Sequence, residues 1–480
     1  MHTYDIAIIG AGVVGASVAR ELSKYKLKIA LLEKEEELAF GVSKSNSGII
    51  HPGTQIAPHL LKGKLCVAGN HLIRKIFSEL CADFKEVGEL IVAFDEQECA
   101  RLSEIKKNAE ILGVRGLKIV RGDTLKAMEP NLNPLAIAAL YVPSAGIISP
   151  YRFVYALAEN AASNGVDIHT KTRVEKITRG KFFELFCGER IFKARFVINS
   201  AGLYADEVAR LVGIGDFKIT PRKGEEYLLD KKRELLSNHL IFPLPSKTSK
   251  GILVIKTSDG NPMIGPTAED VEDKADFSTT DEGLRKVLDG SSRLIPAINK
   301  GDIIAYFSGL RPVAGDDFII RHEESVPGFI NVAGIQSPGL SAAPAIALMV
   351  VDLLKANGLT LKKKWMFRKH RKKARHLFSI PFSLTKKLIK RDPAYGDIVC
   401  RCEMVSAKEV EDSITQGART LDGIKFRTRA QAGRCHGSFC TTRLMKILSQ
   451  KAGIPLTEVT KRGKGSEVIR SGREGNEDAK

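Results

Sequence analysis

The chain has 480 residues, 43% of them hydrophobic and 27% charged, with 42 Gly. That composition excludes a disordered or fibrous protein and predicts two to four domains. The formal charge of +18 suggests an anionic partner at first sight. Its distribution narrows that reading: Lys355–Arg391 holds 14 Lys or Arg and no Asp or Glu, whereas residues 1–354 hold 44 of each sign. The basicity belongs to one connecting segment, and no nucleic-acid recognition motif accompanies it, so nucleic-acid binding is not expected. No basic leader precedes the apolar run Tyr4–Ile9. The longest apolar stretch, Ala342–Leu354, contains Pro344 and falls short of the roughly 18 residues that a membrane span needs. A cytoplasmic protein is the expectation, with membrane association at most peripheral.

In chain order, residues 1–33 read as a β–α–β unit: strand Tyr4–Ile9, helix Val13–Ser23 and strand Lys28–Leu32. Helical periodicity follows over 60–110. Strand-like runs are Leu90–Phe94, Ala139–Val142, Val166–His169, Phe196–Ile198, Gly251–Ile255 and Phe329–Val332, and Ala342–Leu354 reads as an apolar helix. This mixture predicts an α/β body over 1–354 with an antiparallel insertion. A basic connector (355–393), a small domain (394–460) and a Gly- and charge-rich tail (461–480) expected to be disordered complete the chain.

Gly10-Ala-Gly12-Val-Val14-Gly15 stands directly after a strand and opens a helix. The first Gly permits the tight turn, the second lets backbone approach a pyrophosphate, and the third lets helix and strand pack closely. The helix N-terminus then faces the phosphates. Glu33 ends the next strand, where a carboxylate can accept both ribose hydroxyls, and Lys34 adjoins it. An acid there disfavours a 2′-phosphate.

Two later segments choose between dinucleotides. Val197-Ile-Asn-Ser-Ala201-Gly202-Leu-Tyr-Ala-Asp206 and Gly334-Ile-Gln-Ser-Pro-Gly339-Leu340-Ser341 resemble flavin-contact segments of the D-amino-acid oxidase/glycerol-3-phosphate dehydrogenase superfamily of FAD enzymes. Ser43, Asn46 and Ser47 match the loop of that family that lies along the cofactor, and Val174 sits where its adenine-side strand returns. The resemblance runs through 1–355. It implies a Rossmann-like FAD-binding domain built from about 1–80, 145–215 and 325–354. It also implies an antiparallel substrate domain from about 81–144 and 216–324.

Within the superfamily, Asn46-Ser-Gly-Ile-Ile-His51-Pro-Gly, Leu61–Cys66, Pro221–Tyr227, Asp259–Pro266 and Gly309-Leu-Arg311-Pro resemble two groups, glycerol-3-phosphate dehydrogenases and L-2-hydroxyglutarate oxidases. The chemistry requires a cation for the anionic end of the substrate and a group that takes the hydroxyl proton. Arg311 is the expected ligand of the anion or of the developing alkoxide, a catalytic as well as a binding role, because a guanidinium grips phosphate or carboxylate in bidentate fashion. Arg321 and Lys256 are secondary anion candidates. His51 is the expected base, its ordinary pKa lying near neutrality. One departure stands out: the dehydrogenases continue past the loop His with an Arg that helps to hold phosphate, and here the run is Pro52-Gly-Thr-Gln55. Phosphate recognition must come from elsewhere.

Four of eight Cys cluster as Cys400-x-Cys402 and Cys435-x4-Cys440. Four thiolates in two pairs suit a [2Fe–2S] cluster, with Zn as the alternative. The pattern resembles the bacterioferritin-associated-ferredoxin-like domain, implying a small helical iron–sulfur domain. Ser406 and Glu409 predict a capping box opening a helix over Ala407–Gln416, and Thr441–Lys451 predicts another.

The expected activity is FAD-dependent oxidation of sn-glycerol 3-phosphate to dihydroxyacetone phosphate. Hydride passes to the flavin, and electrons leave singly through the cluster to a partner flavoprotein or small cluster protein in a hetero-complex. Oxidation of L-2-hydroxyglutarate or a related 2-hydroxy acid is the rival, and an electron-transfer protein without its own substrate is a rival of another class. The basic segment reads either as a strap on its own body or as a docking surface for an acidic partner.

Overall fold

The computed structural model describes residues 2–245, 250–371 and 376–469. Contacts divide the chain into two units: Met1–Lys34 with Ala39–Arg371, and Glu35–Leu38 with Lys372–Lys480.

The first unit is built on two large sheets. In one, Val166–His169, Ile29–Leu32, His2–Ile9, Arg190–Asn199 and Phe329–Ala333 run parallel in that spatial order. Burial explains the sequence signal: Ile29–Leu32 and Phe329–Ala333 are buried at every position, as strands covered on both faces must be. The antiparallel hairpin Lys176–Arg179/Phe183–Cys187 extends one edge. Helix Val13–Leu22 packs between Pro150–Ser163 and Gly339–Ala356, and the last also packs on Leu61–Leu80.

The second sheet has nine strands and is mostly antiparallel. Its longest pair, Thr220–Leu229 with Ile303–Val313, was not apparent from the sequence, because polar and charged residues interrupt both strands. Several of those polar side chains belong to the candidate site. The helical periodicity read over 60–110 resolves into helices Leu61–Leu80 and Glu96–Ile111, separated by strands Phe84–Glu86 and Glu89–Ala93.

Gly339–Ala356 is longer than the sequence reading allowed. At 18 residues with mean hydropathy 1.6 it is long and apolar enough to cross a membrane, but 61% of it is buried within the protein. Pro344 lies inside it, past the first turn, where it leaves one helix carbonyl without its usual N–H.

The basic connector is not one element. Its first half belongs to the first unit: Tyr25 bridges Lys363, Lys26 N–H donates to Lys362 O, and Lys364 N–H donates to Lys24 O. Asn160 and Asn164 amides donate to Arg368 O, and Arg371 pairs with Glu159 at 2.5 Å. Trp365 and Met366 stay 91% and 73% exposed.

In the second unit, helices Phe382–Arg391, Ala407–Thr415, Leu421–Thr428 and Thr441–Ala452 accompany the hairpin Ile398–Cys400/Val405–Ser406. The Ser406–Glu409 capping box forms in both directions. Val405, Val410, Ile424, Leu444 and Leu448 lie in its apolar core. Glu37, almost fully buried, takes hydrogen bonds from Arg419 N–H and Arg427 Nη1. The disorder expected from 461 onward does not begin there: Lys461 N–H donates to Ser466 O and Val468 N–H to Val459 O. The tail from 470 lies outside the described residues.

Candidate functional site

Three motifs separated by hundreds of residues meet at one sheet edge. Gly10, Ser200–Gly202 and Gly334 directly follow the parallel strands His2–Ile9, Arg190–Asn199 and Phe329–Ala333, whose ends pair Ile9 with Asn199 and Asn199 with Asn331. Ligands of open parallel sheets bind at the carboxyl ends of the strands. Glu33 ends the neighbouring strand, and its Oε2 accepts Ala11 N–H at 2.8 Å. The packing requires glycine: a Cβ on Gly15 would stand 1.9 Å from Gly10 O, and one on Gly10 2.5 Å from Ser200 O. The cradle thus fits a dinucleotide pyrophosphate.

The other predicted cofactor residues sort by what their side chains touch. Ser43 Oγ accepts Val13 N–H at 2.9 Å, tying the loop to the helix start. Asn46 is spent on that loop, donating to Ser43 O and accepting Gly48 N–H, so it shapes the loop from within. Ser47 Oγ donates to Glu226 Oε1 at 2.9 Å. Lys34 places its ammonium 3.7 Å from the Tyr204 ring centroid. Val14 and Val174 are buried, Val174 in the apolar core of the sheet, which leaves the backbone as its means of meeting a ligand. Gly12 opens the first helix, and Gly339, Leu340 and Ser341 open helix Gly339–Ala356.

Ser341 links this crevice to the second sheet by accepting His51 N–H at 2.6 Å. His51 is buried, with Nδ1 accepting Gly53 N–H at 3.0 Å and Nε2 without a partner among the described residues. Burial, reinforced by Lys250, holds its pKa well below the ordinary value. The ring is neutral at pH 7, and because Nδ1 accepts, the proton sits on Nε2. This alters the expected role: His51 presents a donor, because its free nitrogen already carries the proton.

Arg311 faces Arg222 across the strand pair, on the same sheet face as Gly224 and Glu226. Its Nη2 donates to Thr267 O, and a Cβ on Gly224 would lie 2.5 Å from that Nη2. Gly224 therefore makes room for the guanidinium. Burial lowers the Arg311 pKa against the attraction of Glu226. Burial pushes the Glu226 carboxyl up to about 7, against the Ser47 hydrogen bond and Arg311. Glu89, bonded by Thr54 Oγ1, is likewise raised to about 7.

Sequence reasoning missed Lys250. The residue is half-buried, its enclosed Nζ has no hydrogen-bond partner among the described residues, and desolvation pulls its pKa down to about 8, with electrostatic contact to Cys66, Glu89 and Arg311. A Lys beside Gly251 in a loop carries no periodic signal. Two predicted anion ligands belong elsewhere. Arg321 is bound to Glu323 and Asp216, which already neutralise it. Lys256 shares the sheet face of Val254, opposite the face of Leu253, Ile255 and the Phe242 ring that meets His51 edge-on.

In the second unit Cys402 Sγ stands 3.5 Å from Cys435 Sγ, and Cys400 is hydrogen-bonded with Cys440. The sulfurs therefore form two pairs, and among the described residues no three His, Cys, Asp or Glu groups converge as ligands of one ion. The Cys440 hydrogen bond, helped by the Gln431 and Glu403 N–H groups, lowers Cys400 to about 6 against burial. Gly437 and Phe439 N–H groups lower Cys435 against its own desolvation. Backbone donors aimed at sulfur favour thiolates, the form that iron binds.

Comparison with known proteins gives the two cofactor classes. Residues 5–353 match the FAD dependent oxidoreductase family, and residues 398–450 match the BFD-like [2Fe-2S] binding domain. The chain is 41% identical over 470 residues to a glycerol 3-phosphate dehydrogenase of Caloramator mitchellensis, covering 97% of this chain and 98% of that protein. It is 35% identical over 376 residues to a glycerol 3-phosphate oxidase of Mycoplasma pneumoniae, covering 76% of this chain and 98% of the relative. A solved structure of dithionite-reduced L-alpha-glycerophosphate oxidase from Mycoplasma pneumoniae with FAD bound superposes with a TM-score of 0.74 at 33% identity. That match covers 77% of this chain and 99% of the other.

Proposed function

Since the chain belongs to the FAD dependent oxidoreductase family and carries a BFD-like [2Fe–2S] domain, we propose that it is a glycerol-3-phosphate dehydrogenase. It oxidises the secondary alcohol of sn-glycerol 3-phosphate to dihydroxyacetone phosphate, and the electrons leave through the cluster to a partner acceptor. The observation that carries this reading is the half-buried pair Arg311 and Lys250, which act on one another while Lys250 also acts on the His51 ring. Two cations that sense one another suit a single dianionic group, and Lys250 supplies the second cation that Pro52-Gly-Thr-Gln55 lacks.

Bound FAD supplies the hydride acceptor. The residues of the chain do the rest. Arg311 and Lys250 hold the phosphate, fixing the carbinol carbon. His51 Nε2–H steadies the reacting oxygen, a neutral donor that needs no charge change. Glu226, ionising near neutrality, takes the hydroxyl proton at a carboxylate oxygen while Ser47 orients it. Burial of His51 and Glu226 keeps water from the two groups that act on the hydroxyl.

An anaerobic visible spectrum before and after adding glycerol 3-phosphate tests the reading. Flavin bleaching by this substrate and not by L-2-hydroxyglutarate is expected, and inertness to both overturns it. The profile of kcat/KM against pH is expected to be bell-shaped. It rises through about 7 as Glu226 loses its proton and falls through about 8 as Lys250 loses its charge. Glu226→Gln removes the rising limb, and a limb that persists in that variant assigns the base elsewhere.

A further inference from the structure

We propose that Phe439 and Met404 form the docking face for an acidic one-electron carrier protein on the cluster unit. Each of the two cysteine-bearing loops leaves one large apolar side chain in solvent. Phe439, between Ser438 and the ligand Cys440, is 85% exposed, and Met404, two residues past Cys402, is 41% exposed. The loops face one another, since Cys402 Sγ lies 3.5 Å from Cys435 Sγ and a Cβ on Gly433 would meet Cys402 Cβ at 2.4 Å.

Phe439 points two ways at once. Its backbone N–H bonds to the Cys435 sulfur while its ring is in water. A partner that covers the ring therefore sits one peptide from the sulfurs. Met404 holds the left-handed region at φ +54, at the tip of the hairpin Ile398–Cys400/Val405–Ser406. Neither side chain belongs to the apolar core cluster of this unit, so these two do not serve its packing.

Charge selects the partner. Arg401 and Arg434 are exposed beside the two loops. Residues 35–38 and 372–480 together carry 23 Lys or Arg against 15 Asp or Glu. An apolar centre within a basic rim fits an acidic protein, and redox encounters need a contact of only about 1,200 Å² or less. The inference rests on the electron path proposed above. Oxidation of the alcohol releases two electrons and two protons; each carrier takes one electron, so two carriers are reduced per ketone formed and the protons go to solvent.

The test uses the full-length oxidised holoprotein and an acidic plant-type [2Fe–2S] ferredoxin, with binding measured by titration calorimetry. Wild type is expected to bind at low salt and to weaken as salt rises. Phe439→Ser is expected to raise Kd at least tenfold, and Met404→Asn, which keeps the left-handed backbone, to raise it severalfold. The paramagnetic signal of the reduced cluster reports that it is intact in each variant. Equal affinity of wild type and the double variant, or no binding by wild type at low salt, overturns the proposal. Because binding needs no turnover, ferredoxin binding by a protein whose flavin glycerol 3-phosphate does not bleach would sink the substrate reading and leave the docking face standing.

Discussion

Arg311→Ala is expected to lower kcat/KM for glycerol 3-phosphate by about 10²–10³-fold, with FAD still bound. Truncating one partner of a buried charge pair costs about 2–5 kcal/mol, and each 1.4 kcal/mol is about tenfold. Arg311 is half-buried, its guanidinium occupies the space left by Gly224, and Glu226 is the carboxylate it senses. The loss has two components. The phosphate loses a bidentate ligand, which raises KM. Glu226 loses the cation that favours its ionised form, so its pKa climbs above about 7 and the rising limb of the pH profile moves to higher pH. Arg311→Lys keeps the charge without the planar fork and is expected to fall between the two. Steady-state kinetics with a small artificial acceptor over a pH series checks both components. An unshifted limb with a raised KM would separate Arg311 from Glu226 and leave only the phosphate role.

Cys402→Ser is expected to abolish reduction of a one-electron protein carrier, by roughly a thousandfold or to background, while anaerobic bleaching of the flavin by substrate changes less than about twofold. A hydroxyl is a poor substitute for thiolate on iron, and Cys402 is one of the four sulfurs proposed to hold the cluster. Cys402 is exposed, whereas Cys400 and Cys440 are buried in the core of the unit, so this substitution disturbs packing least. The two half-reactions are read separately, by stopped-flow absorbance for the flavin and by carrier reduction for the exit. If the variant reduces the carrier as wild type does, electrons leave directly from the flavin and the cluster has another purpose.

How much of this was legible in the chain depends on the range of the interaction. The glycine turn after Ile9, the Ser406–Glu409 capping box and the paired cysteines are local, and the structure places them at the predicted positions. Strand Val166–His169 has the predicted bounds because its neighbours punctuate it. Strands Thr220–Leu229 and Ile303–Val313 were hidden, because Arg222, Glu225, Glu226 and Arg311 break the alternation that a strand usually displays. Residues carrying function are those that violate the pattern of the fold.

The amino-acid sequence by itself determined the cofactor class and the pairing of four cysteines along the chain, because each rests on residue types at short fixed spacings. Tertiary structure alone assembled the proposed substrate site. It brought Lys250 to Arg311, removed Arg321 and Lys256 through a carboxylate pair and strand parity, and put the proton of His51 on Nε2 through one bond from Gly53. Burial made the difference: desolvation moves Glu226 and Lys250 toward neutrality, and desolvation is a property of the surrounding fold that no single stretch of chain encodes.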